Sequence, residues 1–370
     1  MNIALIETDG FLRSDLETYG QCFGFRIPPT KVSLAGIKKP LAPGGETTLD
    51  ISVISAVAPK LKRIDVYEGS GSEQGIMQMV GAALGKPGQR PDAISISLGA
   101  CEQTLAGDLQ YRRGMQNLFA VAAVAGISTF VAAGDNGSAG CAFDDNSSTF
   151  GLLAVNDPAS SEWVTAVGGT NFVLDANNSI TGEWVWNDGS LGPNGGGGGL
   201  SILAAKTPWY QGAKEFQGGG PTRYVPDVVA LADSVPGYSI FCSACTSADH
   251  PNGGFQGIGG TSAATPLTAA GFTLLAQKDK RAGRPPIGFA NPLLYAIGAR
   301  KGRGTVFRDT VIGNNDVGPA IPAAANGGEL LGCCTAVKGY DPASGWGSIK
   351  PGGLAKVAAK YAPRKSGGKR

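Results

Sequence analysis

The 370-residue sequence predicts an α/β fold, a mostly parallel central sheet with helices on both faces. Three observations carry this. Over the first 135 residues, short apolar runs alternate with segments of helical period. Two of those helical segments end at glycine, as helices before a return strand do. A long helical pattern then comes back at 261–279.

In order, NIALIE (2–7) reads as a buried strand, and SDLETYGQCFGF (14–25) as a short helix capped by its serine. ETTLDISVISAVAP (46–59) places Leu49, Val53 and Val57 at four-residue steps, an amphipathic helix stopped by Pro59. RIDVYE (63–68) is a strand and SEQGIMQMVGAALG (72–85) a helix. DAISISLG (92–99) is a strand, LQYRRGMQNLFAVAAVAG (109–126) a helix, and ISTFVAAGD (127–135) a strand running into a loop. Beyond residue 140 the pattern turns Gly-rich and irregular until TSAATPLTAAGFTLLAQKD (261–279) and FANPLLYAIGA (289–299) restore helix. No repeat or linker divides the chain, so one domain is expected over 1–370, with 364–370 a solvated basic tail.

The 31 basic and 29 acidic residues leave a net charge of +2, which gives no reason to expect nucleic acid. The 58 glycines and 23 prolines suit tight loops on a packed scaffold. No run approaches the roughly 18 apolar residues of a membrane span. The start, MNIALIETDGF, lacks the zones of a signal peptide, so the chain is either cytosolic or begins after a removed leader. Cysteines stand at 22, 101, 141, 242, 245, 333 and 334. A structural zinc site wants a second pair at matching spacing plus histidine beside 242–245, and the vicinal Cys333-Cys334 is a poor second half. Disulfides with one thiol left over are favoured; reduced core cysteines stay open.

GGTSAATP (259–266) places Ser262 at the mouth of the long helix, where free N–H groups favour a developing oxyanion. Pro266 has no N–H, so the carbonyl of residue 262 loses its helical partner. A serine nucleophile needs a proton acceptor. The one histidine, His250, lies in the loop-like SADHPNGG. Glu46 and Asp50, four apart, share a helix face. Two adjacent carboxyls resist ionising together, so the pair titrates as a unit and can supply a base without histidine. Asp135 follows an apolar strand and emerges at the sheet's C-terminal edge, where a protonated carboxyl could donate to an oxyanion.

GTSAATP resembles the serine motif of the subtilisin-like clan, whose histidine-bearing HGT-type segment is missing here. The whole motif order resembles the sedolisin family of serine-carboxyl peptidases: ETTLDISVISAVAP, SISLGACE, AAGDNG, DPASSEWVTAVGGT, EWVWN, RYVPDVVALAD, GGTSAATP and GYDPASGWGS. The resemblance implies a subtilisin-like fold and a peptidase acting on protein or peptide substrates at acidic pH, either an endopeptidase or a tripeptidyl peptidase. By it, Glu46 contacts Ser262, Asp50 orients Glu46, and Asp135 serves the oxyanion. It further implies one structural calcium ion held by Asp309 and Asp341 with the carbonyls of Thr310, Val337 and Gly339; such hard oxygen donors suit calcium. GPNGGGGGLS (192–201) lacks the Lys-Ser/Thr of a phosphate loop. By resemblance it lies beside the substrate cleft, where a peptide backbone could approach.

The sequence departs from the family at Leu98, where tryptophan is common, at Asp157, where phenylalanine is common, and at Asn156, a position that is acidic in some relatives. The family's large N-terminal propeptide would place this chain at about the mature boundary: a processed or trimmed form, or a member lacking that segment. A monomer in an exported acidic compartment is expected. Two rivals are a catalytically inactive binding protein on the same scaffold and a hydrolase that uses His250.

Overall fold

The computed structural model describes residues 1–142, 151–205, 207, 209, 222–321 and 328–361. The basic tail at 364–370 lies outside the described residues.

The first 132 residues build the sheet by the expected alternation. β1 (Asn2–Glu7), α1 (Arg13–Phe23), β2 (Thr30–Ala35), α2 (Gly45–Val57), β3 (Arg63–Gly69), α3 (Glu73–Leu84), β4 (Ala93–Ile96), the short β5 (Ala100–Cys101), α4 (Leu109–Val124) and β6 (Ser128–Ala132) follow in turn. β7 (Asn156–Asp157), β8 (Thr165–Leu174), β9 (Ile180–Val185), β10 (Gly199–Ala205), β11 (Thr222–Val225), β12 (Val228–Leu231), β13 (Tyr238–Cys242) and β14 (Gly254–Ile258) come next. The chain closes with α5 (Thr261–Arg281), α6 (Asn291–Gly298), β15 (Phe307–Arg308), β16 (Ser348–Ile349) and α7 (Pro351–Tyr361).

The main sheet runs β15-β16-β12-β8-β6-β4-β1-β3-β2, with β9 antiparallel on β8. All pairs from β2 to β16 along that order are parallel. Along β1, Ile3 and Leu5 join one core while Ala4 and Ile6 join the other, the period-two signature of a strand covered on both faces. The first core receives α2 and α5 through Ile51, Ile54, Phe272 and Leu275. The second receives α3 and α4 through Met79, Val80, Met115 and Phe119. Each such side chain, fully buried, stabilises by about 1.5–3 kcal/mol.

β1 sits between β3 and β4, so the winding direction reverses there, and the crevice beyond its carboxyl end is where an open α/β sheet holds its ligand. Glu7 and Asp9 end β1, Ser97 follows β4, and Asp135 follows β6, so three neighbouring strands deliver polar side chains to one edge.

Some local expectations need correcting. Ser14 does not cap α1; the N-cap is Leu12, without a side-chain bond, and the helix stops at Gly24 in the left-handed region. α2 is not an amphipathic surface helix: every residue from Thr47 to Ser55 is buried, hydroxyls included, because the helix is wedged between α5, α1 and β13. The strand β2 and the hairpin β13–β14 fell outside the sequence reading. Three disulfides, Cys101–Cys141, Cys242–Cys245 and Cys333–Cys334, leave Cys22 free and exposed, in the favoured pattern. Among the described residues no helix is long and apolar enough to cross a membrane.

Candidate active site

Ser262 is the second residue of α5, partly exposed at the helix mouth. Its N-cap, Gly260, adopts φ 107°, and a Cβ there would meet Asp135 Oδ2 at 2.9 Å, so glycine is required both by backbone and by space. The proline effect is visible: with no N–H at Pro266, the Ser262 carbonyl accepts instead from the Ser97 hydroxyl at 3.1 Å. The Ser262 hydroxyl donates to the Ser97 carbonyl at 3.3 Å and is near enough to the Glu46 carboxyl to favour its ionised form.

Glu46 starts α2, and Asp50 lies one turn on. Asp9, beyond β1, caps that helix by accepting from the N–H groups of Glu46 and Thr47 at 3.1 and 3.0 Å. Asp50 is fully buried and accepts from the Ser97 hydroxyl at 3.2 and 3.0 Å. Glu7, also fully buried, accepts from the Thr47 hydroxyl at 3.1 Å and lies close enough to Asp50 for each to act on the other's ionisation. Glu46 Oε1 and Glu7 Oε1 are buried without a partner. Four carboxyls therefore crowd one crevice, and among the described residues the groups acting on Glu7, Glu46 and Asp50 include no cation.

The electrostatics follow. Burial, opposed by the Ser262 hydrogen bond and aided by the charges of Asp135 and Asp9, pushes Glu46 up to about 7. Burial and then the Glu46 charge hold Asp50 well above the carboxylate range; burial and then the Asp50 charge do the same to Glu7. Such groups share protons and titrate together.

Asp135 is also raised by burial, against hydrogen bonds from Thr261. Its Oδ1 accepts from the Thr261 N–H at 2.7 Å and the Thr261 hydroxyl at 2.8 Å. That leaves Oδ2, the oxygen facing Gly260 beside Ser262, to carry a proton.

Glu46, Asp50, Asp135 and Ser262 thus meet at one place. Sequence reasoning missed Glu7, Asp9, Ser97 and Thr261. The signal for Glu7 was present, an acid closing the apolar run NIALIE at a strand end. His250 is a turn residue: its backbone bonds to Ser247 and Gly253, and no hydrogen bond among the described residues joins its ring to Ser262.

The glycine run packs tightly against the loop that carries Asp135. Gly195 N–H donates to the Asp135 carbonyl at 2.8 Å and Gly197 N–H to the Gly134 carbonyl at 2.7 Å. A Cβ on Gly197 would meet the Ala133 carbonyl oxygen at 2.1 Å. The backbone that approaches these glycines is the protein's own, in the loop that carries Asp135.

The predicted calcium ligands lie on adjoining loops. Asp309 accepts from Gly339 N–H at 3.2 and 2.9 Å, and Asp341 from Val337 N–H at 2.9 Å. Ser344 bridges Asp341 and the Thr310 carbonyl. Asp341 is buried, and burial pushes it up to about 6. Arg303 reaches Asp309 at 3.5 Å and competes for its charge. Both carboxylates are held by backbone N–H groups, with the Thr310 carbonyl beside Ser344; oxygen donors of this kind are the sort that a hard divalent cation takes.

Residues 34–286 match the model of the subtilase family. Kumamolisin from Bacillus sp. (strain MN-32) is 35% identical over 359 residues, which cover 94% of this chain and 58% of that protein. Tripeptidyl-peptidase sed5 from Aspergillus fumigatus is 31% identical over 371 residues, 91% of this chain and 57% of the other. The chain spans just over half the length of these relatives. Pseudomonas sedolisin, a serine-carboxyl proteinase solved with pseudo-iodotyrostatin, superposes with a TM-score of 0.80 at 24% identity, covering 97% of this chain and 92% of that one. The fold is therefore subtilisin-like.

Proposed function

Because the chain belongs to the subtilase family, in its sedolisin branch, we propose that it is a serine-carboxyl peptidase that cleaves peptide bonds through Ser262 with a carboxyl base. The observation that carries this reading is the pairing of a helix-mouth serine with buried, proton-retaining carboxyls and no histidine in reach.

Ser262 Oγ attacks the scissile carbonyl while Glu46 accepts its proton. Asp50, fixed by Ser97, lies one helical turn from Glu46 and shares its buried crevice, and burial with the Asp135 and Asp9 charges keeps Glu46 basic, so Glu46 holds the proton it takes. The new oxyanion is met by the Ser262 N–H and by the proton on Asp135 Oδ2. Glu46 then returns its proton to the leaving amine, and water releases the acyl-enzyme by the same steps. Base and donor coexist only while Glu46 is ionised and Asp135 is not, so activity is confined to the interval between those two ionisations; with Glu46 pushed up to about 7, that interval opens near neutrality in the free enzyme, and acidic operation rests on the likeness to the sedolisin branch. Calcium at Asp309 and Asp341 would supply positive charge that ties the two loops together and takes no part in the bond cleavage. Secretion to an acidic compartment and a monomeric state belong to the same reading.

The test is turnover of an unfolded protein substrate between pH 3 and 7, with product sequencing. Glu46→Gln, still folded, should lose roughly 10²–10⁴ in rate, the usual worth of a general base. His250→Ala should keep wild-type turnover. Loss of activity in His250→Ala with retention in Glu46→Gln would overturn the assignment.

A further inference from the structure

The edge leading away from Ser97 opens on a second pocket. Thr8, Glu73, Leu98, Leu105, Tyr111 and Asp157 are among the residues that enclose about 240 Å³ there, room for several waters or one long side chain. The pocket begins one residue after Ser97, whose carbonyl accepts the Ser262 hydroxyl, and it follows Leu98, Gly99 and Ala100 outward. Gly99 and Ala100 are exposed, so a peptide laid along this edge would pass its side chains over the opening.

The wall chemistry is uneven. Leu98, Leu105 and the ring of Tyr111 are apolar. Asp157 is 6% exposed; its Oδ2 accepts from Ser160 at 3.4 Å, and its Oδ1 is buried with no partner. A buried carboxylate oxygen left unbonded is costly and calls for a donor. Glu73 stands on the same wall, beside Asp108, and Glu102 lies close enough to act on Asp157. Arg112 is the cation acting on this group. It faces Asp157 and Glu102 together, so negative charge remains in excess. The Tyr111 phenol reports the same field: after burial, Asp157, Glu73 and Asp108 each push its ionisation up.

We propose that this pocket is a specificity subsite for a basic side chain, arginine or lysine, of the peptide substrate. The aliphatic stem lies on Leu98, Leu105 and Tyr111, and the cationic head donates to Asp157, with Glu73 as a second acceptor. The inference rests on the peptidase reading for the identity of its ligand, but the binding it describes does not require turnover.

The experiment uses one peptide series in which a single arginine is moved through four positions on each side of a central bond, with glutamine in matched controls. Binding is measured by calorimetry to the Ser262→Ala protein at pH 7, where a carboxyl pushed up to about 6 by burial is mostly ionised. Cleavage of the same peptides is measured with wild type. One position should show arginine preferred over glutamine by roughly ten- to a hundredfold, the worth of a charge-assisted hydrogen bond. Adding Asp157→Asn should bring that ratio close to one, and Glu73→Gln, a second variant whose folding does not depend on the first, should lower it less. No arginine preference in binding at any position overturns the subsite, as does a preference that survives Asp157→Asn in a folded protein or, should that variant not fold, one that Glu73→Gln leaves unchanged. An Asp157-dependent preference in binding, with no cleavage by wild type, upholds the subsite and removes the peptidase reading.

Discussion

Asp227 and Asp50 are both completely buried carboxyls, yet their surroundings are opposite. Asp227 receives both arms of Arg223 at 3.0 and 2.7 Å, the Tyr295 hydroxyl at 2.8 Å, Asn291 at 3.2 Å and the Ala166 N–H at 2.7 Å. Asp50 has the Ser97 hydroxyl and a neighbouring acid, and among the described residues the groups acting on it include no cation. A buried charge is stable when paired and fully hydrogen-bonded. It retains a proton when it is not. The first arrangement joins strands and helix α6 into one unit. The second stores protons beside Ser262, at a cost that the rest of the fold must offset.

The comparison breaks first on stability. Asp227→Ala leaves the Arg223 guanidinium buried beside a lost anion and should cost about 3–5 kcal/mol in chemical denaturation. Asp50→Asn, which removes an uncompensated acid of the same shape, should cost far less at pH 7, and equal losses would erase the distinction drawn here.

The next effect is a tilt of stability with pH. Glu46 is raised from the ordinary glutamate value to about 7, so its folded form holds a proton that the unfolded chain releases. Stability is therefore full below about pH 4 and falls as pH climbs to about 7. At about 1.4 kcal/mol per unit, Glu46 alone contributes roughly 3 kcal/mol to the loss. Denaturation midpoints taken across this window should decline, and Glu46→Gln should flatten the decline in part.

The smallest effect lies at the calcium loops. A ligand that binds only the folded chain at a hundred times its Kd stabilises by about 2.7 kcal/mol. Chelation should lower Tm, and Asp341→Ala should lose that sensitivity. An unchanged melting curve after verified metal removal would speak against the ion.

Apart from β2, the alternation of strand and helix over the first 132 residues was legible because strands covered on both faces read as short apolar runs and the helices between them keep a helical spacing of apolar residues. The acids of α2 were legible by spacing. The serine was legible by its motif. Asp9, Ser97 and Thr261 were not, because their roles arise from contacts across 37, 165 and 126 residues of chain. Local pattern carries no trace of such a partner. The hairpin β13–β14 was obscured by its composition, since its short strands flank a loop rich in small and polar residues. The glycine run showed its tightness but not what pressed against it.

The central claim is that proton position among buried carboxyls sets activity. The most direct measurement is the pH dependence of kcat/KM for wild type, Asp135→Asn and Asp135→Ala. Wild type should give a bell, rising as the Glu46/Asp50 pair ionises and falling as Asp135 does. Asn keeps a donor that cannot ionise, so Asp135→Asn should retain more activity than Asp135→Ala, with its alkaline limb moved upward or flattened. An Asn variant that follows the wild-type alkaline limb, or that is as inactive as Ala while folded, would contradict the account.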